Sequence, residues 1–144
     1  MFENKMDIEF SARSENEAFA RVVVAAFAAQ LNPTLAEVME IKTAVSEAVT
    51  NAIIHGYSES GANVDTAVVK MSCHIRGKEV FIEITDTGRG IDDIEQAREP
   101  LYTSKPEMER SGMGFTVMEE FMDGLEVVSQ IGRGTTIKLR KLIN

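Results

Sequence analysis

The sequence predicts an α/β sandwich, with a mixed, mostly antiparallel sheet and helices layered on one face. Strand-like segments occur as two hairpins, within 66–86 and 125–140. Two helical segments with capping patterns at their N-termini precede the first hairpin. Because strands and helices do not alternate one by one, a doubly wound parallel sheet is not favoured.

Composition narrows the class of protein. The 144 residues, 44% apolar and 26% charged, predict one globular domain over 1–144. A net charge of −8 argues against binding to a nucleic-acid backbone. No stretch reaches the roughly 20 apolar residues of a membrane span, and the N-terminus lacks a secretory signal. With a single cysteine, these features predict a cytoplasmic protein that does not contact membranes.

The first two elements are a short strand and a helix. Alternation predicts a strand over Asp7–Ala12. Ser14 and Glu17 have the spacing of a capping box, after which a helix runs to Gln30. Its second half, Val22–Ala29, is apolar on all sides. We expect it to bury a second face against another chain; the alternative is a helix buried entirely in the core.

The second helix begins with another capping box, formed by Thr34 and Glu37. It is predicted to run to His55, with Gly56 as the residue that ends it. The predicted core stripe of this helix consists of Leu35, Val38, Val45, Val49, Ala52 and Ile53.

The remaining elements follow from alternation and turn residues. Strands are predicted over 66–75 and 79–86, and a helical turn over 92–97. A third helix is predicted over 114–122, followed by a last hairpin with strands 125–130 and 135–140.

Glu47, Asn51 and His55 are spaced four residues apart and so share one face of the second helix. A carboxylate and an amide oxygen suit Mg²⁺, which keeps several of its waters. A zinc site is not favoured, because the HExxH pattern is absent. The alternative for these three residues is a solvated helix edge.

Asp86, Gly88 and Gly90 follow an apolar strand in the pattern D-x-G-x-G. The carboxylate can accept a hydrogen bond from an amino group of a ligand, and glycine lets a ligand approach the backbone closely. The same pattern also describes an ordinary turn.

Ser111-Gly112-Met113-Gly114 lies directly before the third helix. Glycine amides that lead into a helix N-terminus form a cradle for anions. The spacing matches neither the Walker P-loop nor the dinucleotide fingerprint, and a flexible loop is the alternative. Segment 100–106 before it has the composition of a lid, and Lys105 and Arg110 are the nearest basic residues.

Gly132-Arg133-Gly134 is followed by Thr135 and Thr136. The conservative interpretation is a hairpin turn. A threonine hydroxyl on the strand after that turn can also reach a ligand at the sheet surface.

Taken together, the motifs E-x-x-x-N, D-x-G-x-G, G-x-G-F and G-T-T occur in the order found in the GHKL, or Bergerat-fold, ATP-binding superfamily. The resemblance covers about 11–139. The short chain and the stretches EIKTAVSEAVTNAIIHGY, EPLYTSKPEMERSGMGFTVMEEFMD and GRGTTIKL closely resemble the serine kinases of the anti-sigma-factor family of spore-forming bacilli.

The resemblance implies roles for the motif residues. Glu47 would be the catalytic residue that accepts the proton of the attacking hydroxyl, and Asn51 would hold Mg²⁺. Asp86 would receive the adenine amino group. The other residues expected to bind ATP or ADP are Gly88, Gly90, Thr103, Ser104, Lys105, Arg110, Ser111, Gly112, Met113, Gly114 and either Thr135 or Thr136.

The implied reaction is phosphoryl transfer from ATP to a serine of a small anti-anti-sigma protein. The implied second activity is sequestration of a sporulation sigma factor by a homodimer. The apolar first helix is our candidate for that contact, with Val23 and Phe27 in it and Glu17 and Arg21 as charges at its rim. The alternative is a nucleotide-gated binding module without significant phosphoryl transfer. A detached histidine-kinase domain is not favoured, because no histidine lies in a phosphoacceptor helix.

Overall fold

The computed structural model describes residues 2–54, 67–88, 90–91, 94–98 and 114–144. Its elements, in chain order, are β1 (Glu3–Ser11), α1 (Glu15–Ala28), a 3-10 turn (Ala29–Leu31), α2 (Leu35–Asn51), β2 (Val68–Arg76), β3 (Glu79–Asp86), α3 (Ile94–Ala97), α4 (Gly114–Phe121), β4 (Gly124–Gln130) and β5 (Gly134–Leu142).

The five strands form one sheet in the order β1-β2-β3-β5-β4. Each of the four pairings is antiparallel, so the predicted α/β sandwich is confirmed and its sheet is more uniform than expected. β1 pairs with β2 from Glu3 to Ser11, which is why the strand begins four residues before the predicted Asp7. β5 lies between β3 and β4, and its register places Thr135 opposite Asp86.

One face of the sheet is buried and carries the core. Alternate residues of β2, β3 and β5 point to it, and helices α1, α2 and α4 pack together in the layer above. The other face is polar and is crossed by ion pairs such as Arg140 Nη1 to Glu79 Oε2 at 3.0 Å and Lys138 Nζ to Glu83 Oε1 at 3.7 Å. The helices therefore cover one face only, as the sequence predicts.

The two capping predictions have different outcomes. At the start of α2, the Glu37 amide donates to Thr34 Oγ1 at 3.1 Å and the Thr34 amide donates to Glu37 Oε1 at 2.8 Å, which confirms that capping box. The box at Ser14 is wrong, because Ser14 itself has helical backbone angles and its side chain makes no capping bond. Glu17 instead accepts a hydrogen bond from Ser46 of α2.

Helix α1 has one buried side and one exposed apolar side. Ala20, Val24, Phe27 and Ala28 are buried, whereas Phe19 is 53% and Val22 is 63% exposed. The alternative of a helix buried entirely in the core is therefore wrong. Phe27, which we placed in the contact surface, belongs to the core.

Helix α2 keeps most of its predicted core stripe. Val45, Val49 and Ala52 are buried, but Leu35 is 79% exposed and its assignment to the core is wrong, because it lies off the buried face of the helix. Residues 52–54 continue α2 as a wider π turn. The predicted end at His55 lies outside the described residues. Within those residues, no helix has the length and apolarity that crossing a membrane requires.

Candidate functional site

Asp86 ends β3 and is only 5% exposed. Its Oδ1 accepts a hydrogen bond from the amide of Gly88 at 2.9 Å. Burial raises the pKa of the Asp86 carboxyl to about 6, although backbone hydrogen bonds from Gly88 and Thr135 act in the opposite direction. A carboxylate can accept more than these two bonds, so the end of β3 can receive an amino group of a ligand.

Two glycines allow the backbones around the end of β3 to pack closely. Gly134 has φ +105°, and a Cβ built on it would lie 2.1 Å from the carbonyl oxygen of Asp86. Gly90 has φ +84°, and its Cβ would lie 2.4 Å from the carbonyl oxygen of Gln130. At both positions only glycine combines a positive φ with this closeness. The turns after β3 and before β5 are therefore packed backbone to backbone.

Ser129 of β4 joins these turns and was not recognised from the sequence. Its Oγ accepts a hydrogen bond from the Ile91 amide at 2.7 Å and lies 2.7 Å from Thr135 Oγ1. It also donates to the carbonyl oxygen of Gly134 at 3.2 Å. The sequence shows only a serine near the end of a predicted strand. Its role can be recognised once the strand register places it opposite Thr135.

The two threonines point to different faces of the sheet. Thr135 is buried on the helix-covered face, the same face as Asp86, with which it pairs across β3 and β5. Thr136 lies on the polar face, where its Oγ1 is 3.0 Å from Thr85 Oγ1. Thr135 therefore shares a surface with Asp86 and Thr136 does not. We call Asp86, Gly88, Gly90, Ser129, Gly134 and Thr135 the β3–β5 rim.

A second group of predicted residues lies where α2 meets α4. A Cβ built on Gly114, the first residue of α4, would lie 3.2 Å from Glu47 Oε2. The carboxylate of Glu47 therefore rests against the N-terminus of α4, where helix amides without intrahelical partners are located. Asn51 follows one turn later on the same side of α2. We call Glu47, Asn51 and Gly114 the α2–α4 contact.

The described part of the chain contains no group of three or more His, Cys, Asp or Glu side chains arranged to hold a metal ion. Glu47 and Asn51 provide one carboxylate and one amide oxygen. This small donor set fits Mg²⁺, which is usually bound through one or two protein ligands together with phosphate oxygens of the substrate.

Several predicted residues lie outside the described part of the chain, as does His55. These are the predicted nucleotide-binding residues Thr103, Ser104, Lys105, Arg110, Ser111, Gly112 and Met113.

The two predicted partner residues lie on α1, beside α2. Glu17 accepts a hydrogen bond from Ser46, and its Oε2 is 3.5 Å from Arg21 Nε. Ser46 directly precedes Glu47 in the sequence. Glu17 thus faces α2 and not the exposed apolar side, which presents Phe19 and Val22.

Comparison with known proteins identifies the group that this architecture resembles. Residues 10–141 match the model of the histidine kinase-like ATPase domain. The chain is 59% identical over 144 residues to an anti-sigma F factor of Clostridium botulinum, and this match covers 100% of the chain and 98% of that relative. It is 60% identical to the anti-sigma F factor of Clostridium beijerinckii, with the same coverage. Over 140 residues it is 59% identical to that of Geobacillus kaustophilus, covering 97% and 93% of the two chains.

Solved structures share the fold at low sequence identity. A crystal structure of the RsbU and RsbW domains of a Mycobacterium tuberculosis protein matches with a TM-score of 0.68 and 19% identity, over 97% of this chain and 32% of that one. The SiaB–SiaC complex of Pseudomonas aeruginosa matches with a TM-score of 0.60 and 10% identity, over 96% and 89% of the two chains.

Proposed function

Because the chain belongs to the histidine kinase-like ATPase domain family, we propose that it is an anti-sigma factor and an ATP-dependent serine kinase. In this proposal ATP places its adenine at the β3–β5 rim and its phosphates at the α2–α4 contact. The substrate is a serine of a small anti-anti-sigma protein. The chain sequesters a sporulation sigma factor, in line with the names of its relatives.

The observation that supports adenine binding is the buried carboxylate at the end of β3. Asp86 accepts the adenine amino group, and the backbone at Gly88 and Gly90 supports the plane of the base. Thr135 is the threonine that we assign to this end, because it shares the face of Asp86.

The observation that carries the kinase proposal is the position of Glu47 at the N-terminus of α4. A protein that only bound phosphate there would gain from amides and lose from a carboxylate, since like charges repel. A kinase, in contrast, can use this carboxylate as a proton acceptor. Glu47 accepts the proton of the serine hydroxyl while the serine oxygen forms a bond to the γ-phosphorus and the bond between that phosphorus and ADP breaks. Asn51 would hold Mg²⁺, which would supply the positive charge that neutralises the phosphate oxygens.

Replacing Glu47 by Gln tests this role. We expect the rate of phosphoryl transfer to fall about 10²- to 10⁴-fold, as for loss of a general base. ATP affinity should not fall, because binding uses the amides and Asn51, and loss of the carboxylate charge removes a repulsion. Transfer is measured with labelled ATP, Mg²⁺ and the anti-anti-sigma protein, and affinity by calorimetry. Glu126→Gln, an exposed glutamate of β4, is the matched control.

The second candidate function is the nucleotide-gated binding module. It would be favoured if the unmodified protein bound ATP and a sigma factor but transferred no phosphate to any tested protein. Equal loss of transfer and ATP affinity in the Gln variant would instead make Glu47 a binding residue.

We propose that the exposed apolar side of α1 is the surface for a sigma factor or a second copy of the chain, and that Glu17 and Arg21 contribute from the side of the helix that faces α2. Phe19 and Val22 provide its apolar part. Val22→Asp should weaken sigma capture or dimerisation at least tenfold and leave ATP binding unchanged. Val128→Asp, on an equally apolar and 50% exposed residue of β4, is the matched control. Sedimentation and capture of purified sigma factors distinguish the two partners, and equal behaviour of both variants would contradict the assignment.

A further inference from the structure

The C-terminal end of α4 is hydrogen-bonded to the last residues of β5. The amide of Asp123, just after α4, donates to the carbonyl oxygen of Arg140 at 2.8 Å. In return, the amide of Leu142 donates to Asp123 Oδ2 at 2.7 Å. Lys141 lies between these two β5 residues, and its Nζ donates to the carbonyl oxygen of Phe121 at 2.6 Å. The end of α4 therefore cannot move along β5 without breaking several hydrogen bonds.

Lys141 is an unusual residue for its position. It is 7% exposed and lies on the helix-covered face of β5, where its alternate neighbours Ile137, Leu139 and Ile143 are all buried and apolar. Burial of an ammonium group is costly unless it is paired. Its partners are the negative end of the α4 dipole, at Phe121, and Glu40 Oε1 of α2 at 3.3 Å. Lys141 thus joins the two helices that meet again at the α2–α4 contact.

The two contacts between α2 and α4 are separated by the same number of residues along both helices. Glu40 and Glu47 are seven residues apart on one side of α2, and Phe121 and Gly114 are seven residues apart along α4. At 1.5 Å per residue, each helix spans about 10.5 Å between its two contacts. A helix is stiff over this length, so a shift of α4 along α2 at the lysine end displaces Gly114 from Glu47 by a similar distance.

We propose that Lys141 is a positioning residue for phosphoryl transfer, which sets the distance between Glu47 and the phosphates at the N-terminus of α4. This inference rests on the proposed kinase function. Lys141 acts through Glu47 and touches neither nucleotide nor substrate, so its loss should change the reaction step and leave the β3–β5 rim unaffected.

Lys141→Met removes the ammonium and keeps an unbranched apolar chain in the same space. We expect the transfer rate at saturating ATP to fall at least tenfold, while the affinity for AMP, measured by calorimetry, changes less than twofold. Lys138→Met is the matched control, because Lys138 lies three residues earlier on the polar face of β5 and pairs with Glu83. It should leave both quantities unchanged.

A double variant shows whether Lys141 acts through Glu47. In a Glu47→Gln background, Lys141→Met should lower the residual transfer rate less than twofold, because the group that it positions is already gone. A full tenfold further loss would overturn the inference. So would a single Lys141→Met variant that transfers phosphate as fast as Lys138→Met.

If Lys141→Met does not fold, Glu40→Gln decides the question. It keeps the bond from Lys141 to Phe121 and changes a side chain that is 34% exposed. We expect about a threefold loss of transfer rate with unchanged AMP affinity, and no loss would overturn the inference. If the unmodified protein did not bind ATP or transfer phosphate, the proposed function itself would be rejected. This test uses only the unmodified protein, so it is separate from the tests of Lys141.

Discussion

The β3–β5 rim and the α2–α4 contact are built in different ways. At the rim, Gly134 and Gly90 bring backbone against backbone at distances that exclude any Cβ. At the α2–α4 contact, the close approach is between the flexible end of Glu47 and the Cα of Gly114, where a Cβ would still lie 3.2 Å away. The rim is therefore fixed by sheet register, whereas the contact depends on how two helices pack.

This difference suggests a division of tasks. A rigid rim is suited to the proposed binding of a flat base, because its donors and acceptors belong to the backbone or to buried side chains. A contact made by a side chain between two helices can adjust by tenths of an ångström, as a proton transfer requires. Substitutions of the rim glycines should accordingly cost stability, and those at the contact should mainly cost rate.

The largest effect is expected for Gly134→Ala. The new Cβ would meet the Asp86 carbonyl oxygen at 2.1 Å, at a φ of +105° that alanine avoids. We expect the free energy of unfolding to fall by at least about 4 kcal/mol. Gly132→Ala is the matched control, because Gly132 has φ +81° and open space around it, so only the backbone cost of about 1–2 kcal/mol remains. Denaturant unfolding measures both, and equal losses would show that the rim backbone can move.

For Asp86→Asn we expect a smaller change in the free energy of unfolding, and an increase instead of a loss. The pKa of Asp86 is raised from 3.8 to about 6, so folding disfavours its ionised form. This costs the nucleotide-free protein about 3 kcal/mol of stability above pH 6, and none below the unfolded pKa. The Asn variant should therefore be more stable by up to about 3 kcal/mol at pH 8 and show no gain near pH 3.

The same Asn variant should bind ATP at least tenfold more weakly, since its side-chain amino group would face that of adenine. Unfolding curves at pH 3, 6 and 8, with ATP titrations at pH 8, measure the two effects. A stability gain that did not depend on pH would mean that the charge of Asp86 is not its cause.

The smallest change in stability is expected for Gly114→Ala. Alanine favours a helix over glycine by up to about 1 kcal/mol, which offsets the crowding of Glu47 Oε2. Stability should stay within about 1 kcal/mol of the unmodified protein, while the displaced carboxylate slows phosphoryl transfer three- to tenfold. Glu120→Ala, at an exposed residue of the same helix, should leave the rate unchanged. A loss of stability as large as that of Gly134→Ala would remove the distinction between the two regions.

Local patterns predicted what local interactions determine. The Thr34–Glu37 capping box was predictable because both partners lie within one turn. The box at Ser14 was not formed because Glu17 bonds with Ser46, which is 29 residues away. Leu35 was misplaced because it is apolar but lies off the face of α2 that is buried.

The site shows the same limit. Motif order pointed to Asp86, Glu47 and the glycines, but a period of two cannot choose between Thr135 and Thr136 until β5 is registered against β3. Ser129 and Lys141 carry no motif, since their partners lie in other elements. Such residues become visible only when the contacts between elements are known.

The place of β5 in the sheet has a consequence for synthesis. Of the five described strands, β5 is the last in the sequence, yet it is an inner strand between β3 and β4. A nascent chain that ends before 134 leaves the edge of β3 unpaired and prone to association with other strands. Asp86 pairs with Thr135 of β5, so the β3–β5 rim is completed only after β5 has been synthesised.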